Sequence, residues 1–154
     1  MSGLKSEFLC ELKVDVDWAE TINVGAMPQG ARGIIYIKGG TSEGPKIKGV
    51  ILPGGGDWFI MQPDGTVMMD VRAAGRTDDG HIVYTYYRGI NVMPPDVRER
   101  WLKGEAIDPS EYYLRTTPIF ETGSEKYGWL NRTVAVGIGR FTRTGVAYEM
   151  YVIL

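Results

Sequence analysis

The chain has 154 residues, of which 44% are hydrophobic and 11% aromatic, enough to build the core of one domain spanning residues 1–154. This composition excludes a disordered tail, and the single cysteine, Cys10, excludes intrachain disulfides and favours a reducing, cytoplasmic location. Seventeen Lys and Arg against nineteen Asp and Glu give a net charge of −2, which argues against nucleic acid as a partner. The sequence lacks a signal peptide and an apolar run long enough to span a bilayer, so we expect no membrane association.

Short β-branched and aromatic runs recur about every 10 residues between Gly, Pro and Asp, a spacing typical of an antiparallel sandwich or barrel. Tight turns at 63–65 and 78–80 indicate that three consecutive strands form a meander. The predicted strands are 7–16, 31–38, 45–52, 57–62, 65–72, 81–89, 111–120, 132–140 and 145–153.

The segment 94–104 is the exception, because prolines open it, a glycine closes it, and Val97, Trp101 and Leu102 recur at helical spacing. We predict one short amphipathic helix near 95–103. Trp101 would either plug one end of a barrel or sit on a helix packed against the outside, and the sequence leaves both open.

Strand alternation places Asp70 and Arg72 on one face of their strand, and Arg115 on the same face as Tyr113. If these faces point inward, the charges pair and an arginine is free to bind an anionic or carbonyl oxygen of a ligand. If they point outward, the charges form an ordinary surface ion pair, and this alternative remains open.

A second polar group falls in a predicted loop at the barrel mouth, with Glu121 as a candidate general base and Tyr127 as the acid or oxyanion donor. Trp129 and Asn131 are candidate ligand contacts there. The alternative is structural, in which Glu121 and Asn131 bond to backbone groups of the turn.

Two further aromatic residues, Trp58 and Tyr84, are candidate walls of a pocket, although core and pocket residues look alike in sequence.

The glycine-rich segment 54–56 is followed by no helix pattern and therefore predicts a turn, not a phosphate loop. The chain has one His and one Cys, too few for a typical metal site, so we predict no metal and no cofactor. The histidine, His81, directly follows a predicted turn, and we therefore expect its side chain to be exposed.

The chain contains five long motifs with a distinctive sequence, Gly39–Pro45, Leu52–Trp58, Arg76–Gly80, Tyr112–Gly123 and Tyr127–Asn131. These motifs resemble those of one known family of uncharacterised proteins, the domain of unknown function 3237. The resemblance implies an all-β fold with a single antiparallel, lipocalin-like β-barrel of about 8–10 strands, often dimeric, and implies no activity. Large residues on both strand faces also favour a homodimer.

Three hypotheses for the function follow. The first is a barrel that binds a small hydrophobic or aromatic molecule, with Arg115 as the polar anchor and four aromatic walls, Trp58, Tyr84, Tyr113 and Trp129. The second is a cofactor-independent isomerase, lyase or cyclase of secondary metabolism that works through Asp70, Arg115, Glu121 and Tyr127. The third is an interaction module whose barrel is filled by its own side chains.

Overall fold

The computed structural model describes residues 3–154. Within them, eleven strands form one sheet in which every pair of neighbours is antiparallel. The strands are β1 (Ser6–Val16), β2 (Ile22–Met27), β3 (Gly30–Glu43), β4 (Lys48–Ile51), β5 (Gly56–Asp57), β6 (Ile60–Met61), β7 (Val67–Thr77), β8 (Ile82–Val92), β9 (Tyr113–Glu121), β10 (Ala135–Phe141) and β11 (Gly145–Ile153). One helix, α1 (Pro95–Leu102), and three short 3-10 turns at Trp18–Glu20, Pro109–Glu111 and Gly128–Arg132 complete the described chain.

The sheet closes because β1 pairs with β11 on one side and with β3 on the other. Three short strands, β4, β5 and β6, share one position between β3 and β7. The result is a closed eight-stranded antiparallel barrel, which confirms the predicted all-β barrel with one short helix.

The predicted meander is present as β6, β7 and β8, and α1 lies within the predicted 95–103. The predicted strand 57–62 is divided into β5 and β6, because Trp58 and Phe59 interrupt the pairing between them. The sequence analysis missed β2, whose residues Ile22–Met27 include Asn and Gly and lack a continuous β-forming run.

Alternation along each strand separates an inner from an outer face. On β8, Val83, Thr85 and Tyr87 are buried, whereas Ile82, Tyr86 and Arg88 are exposed. The inward side chains from opposite walls form one hydrophobic core, whose most deeply buried members include Leu9, Leu114, Leu130, Tyr148 and Met150.

Helix α1 lies across the end of the barrel where β8 finishes and β9 begins. Arg98 ties it to the β6–β7 turn, because its Nη2 donates a hydrogen bond to the Gly65 carbonyl oxygen (2.5 Å). Trp101 packs edge-on against Trp18 at 5.3 Å and lies 5.2 Å from the Phe141 ring, so it plugs this end of the barrel.

Within residues 3–154, no helix combines the length and apolar character required to cross a membrane.

The outer face of β8, β9 and β10 carries exposed apolar side chains, among them Ile90, Tyr113, Ile119 and Ile138. Such a face is compatible with an interface between two copies of the chain. Homodimerisation stays a prediction.

Glycines allow β1 to lie close to both of its neighbours. A Cβ on Gly145 of β11 would stand 1.8 Å from the Val14 carbonyl oxygen, and one on Gly40 of β3 would stand 2.0 Å from that of Lys13. Gly40 also has a φ of +144°, which disfavours other residues. The closure of the barrel therefore depends on the absence of side chains at these two positions.

Gly145→Ala is expected to lower the free energy of unfolding by about 1 to 3 kcal/mol, because the added methyl group forces β1 and β11 apart. Urea denaturation followed by circular dichroism measures this loss. Gly123→Ala is the matched control, since a Cβ there meets nothing within 4 Å. Equal stabilities of the two variants would contradict this account of closure.

Candidate functional site

A cavity of about 440 Å³ lies inside the barrel beneath α1. This volume falls in the range of sites that hold small molecules. Most of its lining is aliphatic, aromatic or methionine, including Ile35, Met69, Val71, Met93, Phe141 and Val146. Its few polar lining residues include Asp57, Tyr87, Asn91, Arg98 and Tyr148.

Asp57 reaches the cavity because the glycine-rich turn before it sets β5 close against β7. A Cβ on Gly55 would stand 2.2 Å from the Arg72 carbonyl oxygen, so only glycine allows this approach. Asp57 pairs with Val71, and Val71 pairs with Tyr87, which places the three residues in one row across β5, β7 and β8. The carboxylate thus enters an otherwise apolar wall.

Burial governs the acidity of Asp57. Its Oδ1 accepts a hydrogen bond from the backbone N–H of Asp70 at 3.0 Å, and no hydrogen bond from residues 3–154 reaches its Oδ2. Loss of water around the carboxyl group is the largest effect and, together with the nearby Asp70 charge, raises the pKa of Asp57 to about 6. Asp57 is therefore charged at neutral pH and is a stronger base than an ordinary aspartate.

Two tyrosines share the depth of the cavity with this carboxylate. The rings of Tyr87 and Tyr148 meet edge-to-face with centroids 5.6 Å apart. Burial raises the pKa of both hydroxyl groups, and the Asp57 charge raises them further, so both remain protonated donors at neutral pH.

Asn91 stands closer to α1, four residues beyond Tyr87 on the same inward face of β8. Its side chain is buried, and its Oδ1 has no hydrogen-bond partner among the described residues. Arg98 of α1 also lines this part of the cavity. The site therefore offers hydrogen-bonding groups at two levels, with apolar wall between them.

This arrangement can accept protons and hydrogen bonds from a bound molecule within a largely apolar cavity. No group of three or more His, Cys, Asp and Glu that can hold a metal ion is found in residues 3–154. The chemistry available from the described side chains is thus that of a carboxylate, an amide, two phenols and a guanidinium.

None of the site residues predicted from the sequence lines this cavity. Asp70, Arg72 and Tyr84 lie on the outward faces of β7 and β8, so the structure adopts the outward alternative for the Asp70 and Arg72 face. Trp58 packs on the outside between Tyr36, at 6.3 Å, and the Arg72 guanidinium, at 5.8 Å.

The predicted residues of β9 also face outward. Arg115 lies 4.9 Å from the centroid of the Tyr113 ring and donates a hydrogen bond to the Leu114 carbonyl oxygen. Tyr113 and Glu121 are exposed. Ligand binding by Arg115 and catalysis by Asp70, Arg115 or Glu121 stay predictions.

The predicted loop residues lie at the end of the barrel opposite α1 and bond to the chain itself. The Tyr127 hydroxyl donates to the Asp79 carboxylate at 2.9 Å, and Lys126 donates to the same carboxylate. Asn131 accepts from the Thr122 N–H and donates to the Thr122 carbonyl oxygen, which is the turn-closing alternative left open by the sequence. Trp129 stacks under Lys46 at 5.7 Å.

Asp57 and Asn91 were not predicted as site residues from the sequence. Asp57 follows a glycine run that predicts only a turn, and Asn91 lies beyond the end of the predicted strand 81–89. Extending the alternation of Val83, Thr85 and Tyr87 by two steps places Asn91 on the inward face, and this signal was available.

Fold and site together define a small antiparallel β-barrel with an internal, largely apolar cavity that contains a partly buried carboxylate. Residues 4–153 match the family described as protein of unknown function (DUF3237), and the chain belongs to this family. The resemblance predicted from its motifs is therefore confirmed.

Relatives in bacteria have the same fold. A conserved protein of unknown function from Rhodopseudomonas palustris is 32% identical with a TM-score of 0.91, covering 100% of both chains. A β-barrel-like protein from Acinetobacter baumannii is 36% identical with a TM-score of 0.86, covering 100% of this chain and 98% of its own. A structure described as an enzyme from Penicillium herquei is 20% identical with a TM-score of 0.75, and the match covers 100% of this chain and 97% of that one. This low identity shows a shared fold and nothing about activity.

Asp57→Asn is expected to stabilise the protein at pH 8 by about 2 to 3 kcal/mol and to have little effect near pH 3.5. The folded protein holds the Asp57 proton more tightly than the unfolded chain, whose carboxyl has the ordinary pKa of 3.8. The stability contributed by Asp57 is therefore present below that value and lost as the pH rises towards 6.

Urea unfolding of both proteins across pH 3.5 to 8 measures the difference, with Glu121→Gln as the control for an exposed carboxylate. A constant difference across this range would mean that Asp57 titrates normally.

Proposed function

We propose that this protein binds a small, largely apolar molecule inside its barrel. The observation that carries the proposal is the cavity of about 440 Å³, walled by apolar side chains and containing the unsatisfied Oδ1 of Asn91. A barrel filled by its own side chains leaves no space of this size, so the cavity favours binding over a purely structural module. The likeness to other family members supports the fold and names no ligand.

The cavity also explains how such a ligand is held. Its methionines and aromatic rings adapt to flat or irregular apolar surfaces. The Trp18, Trp101 and Phe141 cluster forms an aromatic wall at the end beneath α1.

Val71→Phe is expected to weaken binding of the fluorescent probe N-phenyl-1-naphthylamine by about tenfold or more, because the new ring occupies the cavity beside Asp57. Fluorescence titration measures the affinity, and circular dichroism verifies that the barrel is retained. Ile119→Phe is the matched control, since it adds bulk on the outer face. Unchanged binding by Val71→Phe would place the probe elsewhere.

A second candidate function is cofactor-independent acid–base catalysis, favoured by the basic carboxylate in a largely apolar cavity. Asp57 takes a proton from the carbon next to a carbonyl group, the electron pair moves onto the carbonyl oxygen to form an enolate, and the proton returns to either end. The Tyr87 and Tyr148 hydroxyl groups share the cavity and are available to donate to the enolate oxygen. A cofactor-free isomerase, lyase or cyclase would use such a step.

Wild-type protein is expected to accelerate the exchange of the α-protons of 2-tetralone in D₂O, followed by proton NMR. The rate rises with pH and levels off above about 6, because the reaction requires the Asp57 carboxylate and the pKa of Asp57 is raised to about 6. Asp57→Asn abolishes the acceleration, whereas Glu121→Gln retains it. Equal rates with wild type and Asp57→Asn would remove Asp57 as the base.

A further inference from the structure

Two hydrogen-bond acceptors of the cavity lining accept no hydrogen bond from residues 3–154. One is Oδ1 of Asn91, which is fully buried near α1, and the other is Oδ2 of the partly buried Asp57, whose Oδ1 alone accepts a hydrogen bond from the chain. The buried Asn91 acceptor without a donor costs free energy, and a ligand that supplies a donor recovers this cost, whereas Asp57 Oδ2 offers a charged acceptor that strengthens a hydrogen bond. A ligand that fits both acceptors therefore carries one hydrogen-bond donor at each of its two ends.

The sheet register gives the spacing of the two acceptors. Asn91 pairs with Val67 of β7, and Asp57 pairs with Val71 of the same strand. The two rows are four residues apart, which corresponds to about 13 Å along the strand. Since β5 and β8 lie on opposite sides of β7, the acceptors are also offset sideways and approach the cavity from different directions.

The wall between the two acceptors is apolar. Met69 and Val71 separate the rows on β7, and Val146 and Met93 also line the space. A flat, rigid apolar body fits such a wall, and the sulfur atoms of the methionines favour aromatic rings. The deep end repels an anionic group because Asp57 is charged at neutral pH, so the donor there is a neutral hydroxyl.

We propose that the cavity accepts a molecule of the diphenol class, an aromatic body with a hydroxyl group at each end, one donated to Asn91 Oδ1 and the other to the Asp57 carboxylate. This inference rests on the proposed ligand-binding function and specifies the ligand for that same cavity. Two linked rings with hydroxyl groups at their far ends span the space between the rows. Each hydroxyl satisfies an acceptor that the protein leaves open.

The test compares 4,4′-dihydroxybiphenyl with 4,4′-dimethoxybiphenyl and biphenyl by isothermal titration calorimetry at pH 7.5. Wild type is expected to bind the dihydroxy compound at least about tenfold more tightly than the other two, because they cannot donate to either acceptor. This comparison needs no variant and decides the proposal even if a variant fails to fold.

Variants then locate the two hydroxyl contacts. Asn91→Leu and Asp57→Asn are each expected to lower the affinity for the dihydroxy compound by about tenfold and to leave that for biphenyl unchanged. Thr116→Val is the matched control, because Thr116 Oγ1 is also buried and unpartnered but does not line the cavity. It should bind all three compounds as wild type does.

The outcomes separate the two proposals. If neither biphenyl nor its dihydroxy derivative binds, and N-phenyl-1-naphthylamine also fails, the cavity is not a binding site and both proposals fall. If biphenyl and the dihydroxy compound bind equally, the binding function stands and the diphenol inference is wrong. Preference for the dihydroxy compound that survives both Asn91→Leu and Asp57→Asn would also overturn it.

Discussion

Closure of the sheet through β1 is the constraint on which the rest of the structure depends. Once β1 bonds to both β11 and β3, the two faces of every strand become an inside and an outside. Gly40 and Gly145 make this contact close enough to form. The unusual basicity of Asp57 follows directly, because the same carboxylate on an open sheet would remain hydrated.

The two ends of the barrel use polar groups in different ways. At the end away from α1, Asp79 binds Lys126 and Tyr127, and Asn131 closes its own turn, so each of these groups is satisfied within the chain. Hydrogen bonds from Lys126, from Thr77 and, to a smaller extent, from Tyr127 hold the pKa of Asp79 far below its usual range, as expected of a structural carboxylate. Inside the cavity, Asp57 and Asn91 retain unused hydrogen-bonding capacity. This contrast separates groups that hold the fold from groups available to a ligand.

The sequence predicted the local features well, since the turns at 63–65 and 78–80, the helix near 95–103 and most strands arise from short-range preferences. It did not predict which faces point inward, because β8 has large residues on both, with Tyr84 and Tyr86 outside and Tyr87 inside. Asp57 escaped notice as a site residue because β5 has only two residues, and its burial arises from the closed barrel and not from any local pattern. The family resemblance identified the barrel but carried no information about its interior.

The placement of the four tryptophans has a spectroscopic consequence. Trp18 and Trp101 line the cavity and contact each other, whereas Trp58 and Trp129 lie beside the cationic groups of Arg72 and Lys46, away from the cavity lining. The emission of the protein therefore combines an interior pair, sensitive to what enters the barrel, with an exterior pair that is insensitive to it. The chain carries its own reporter of occupancy together with an internal reference.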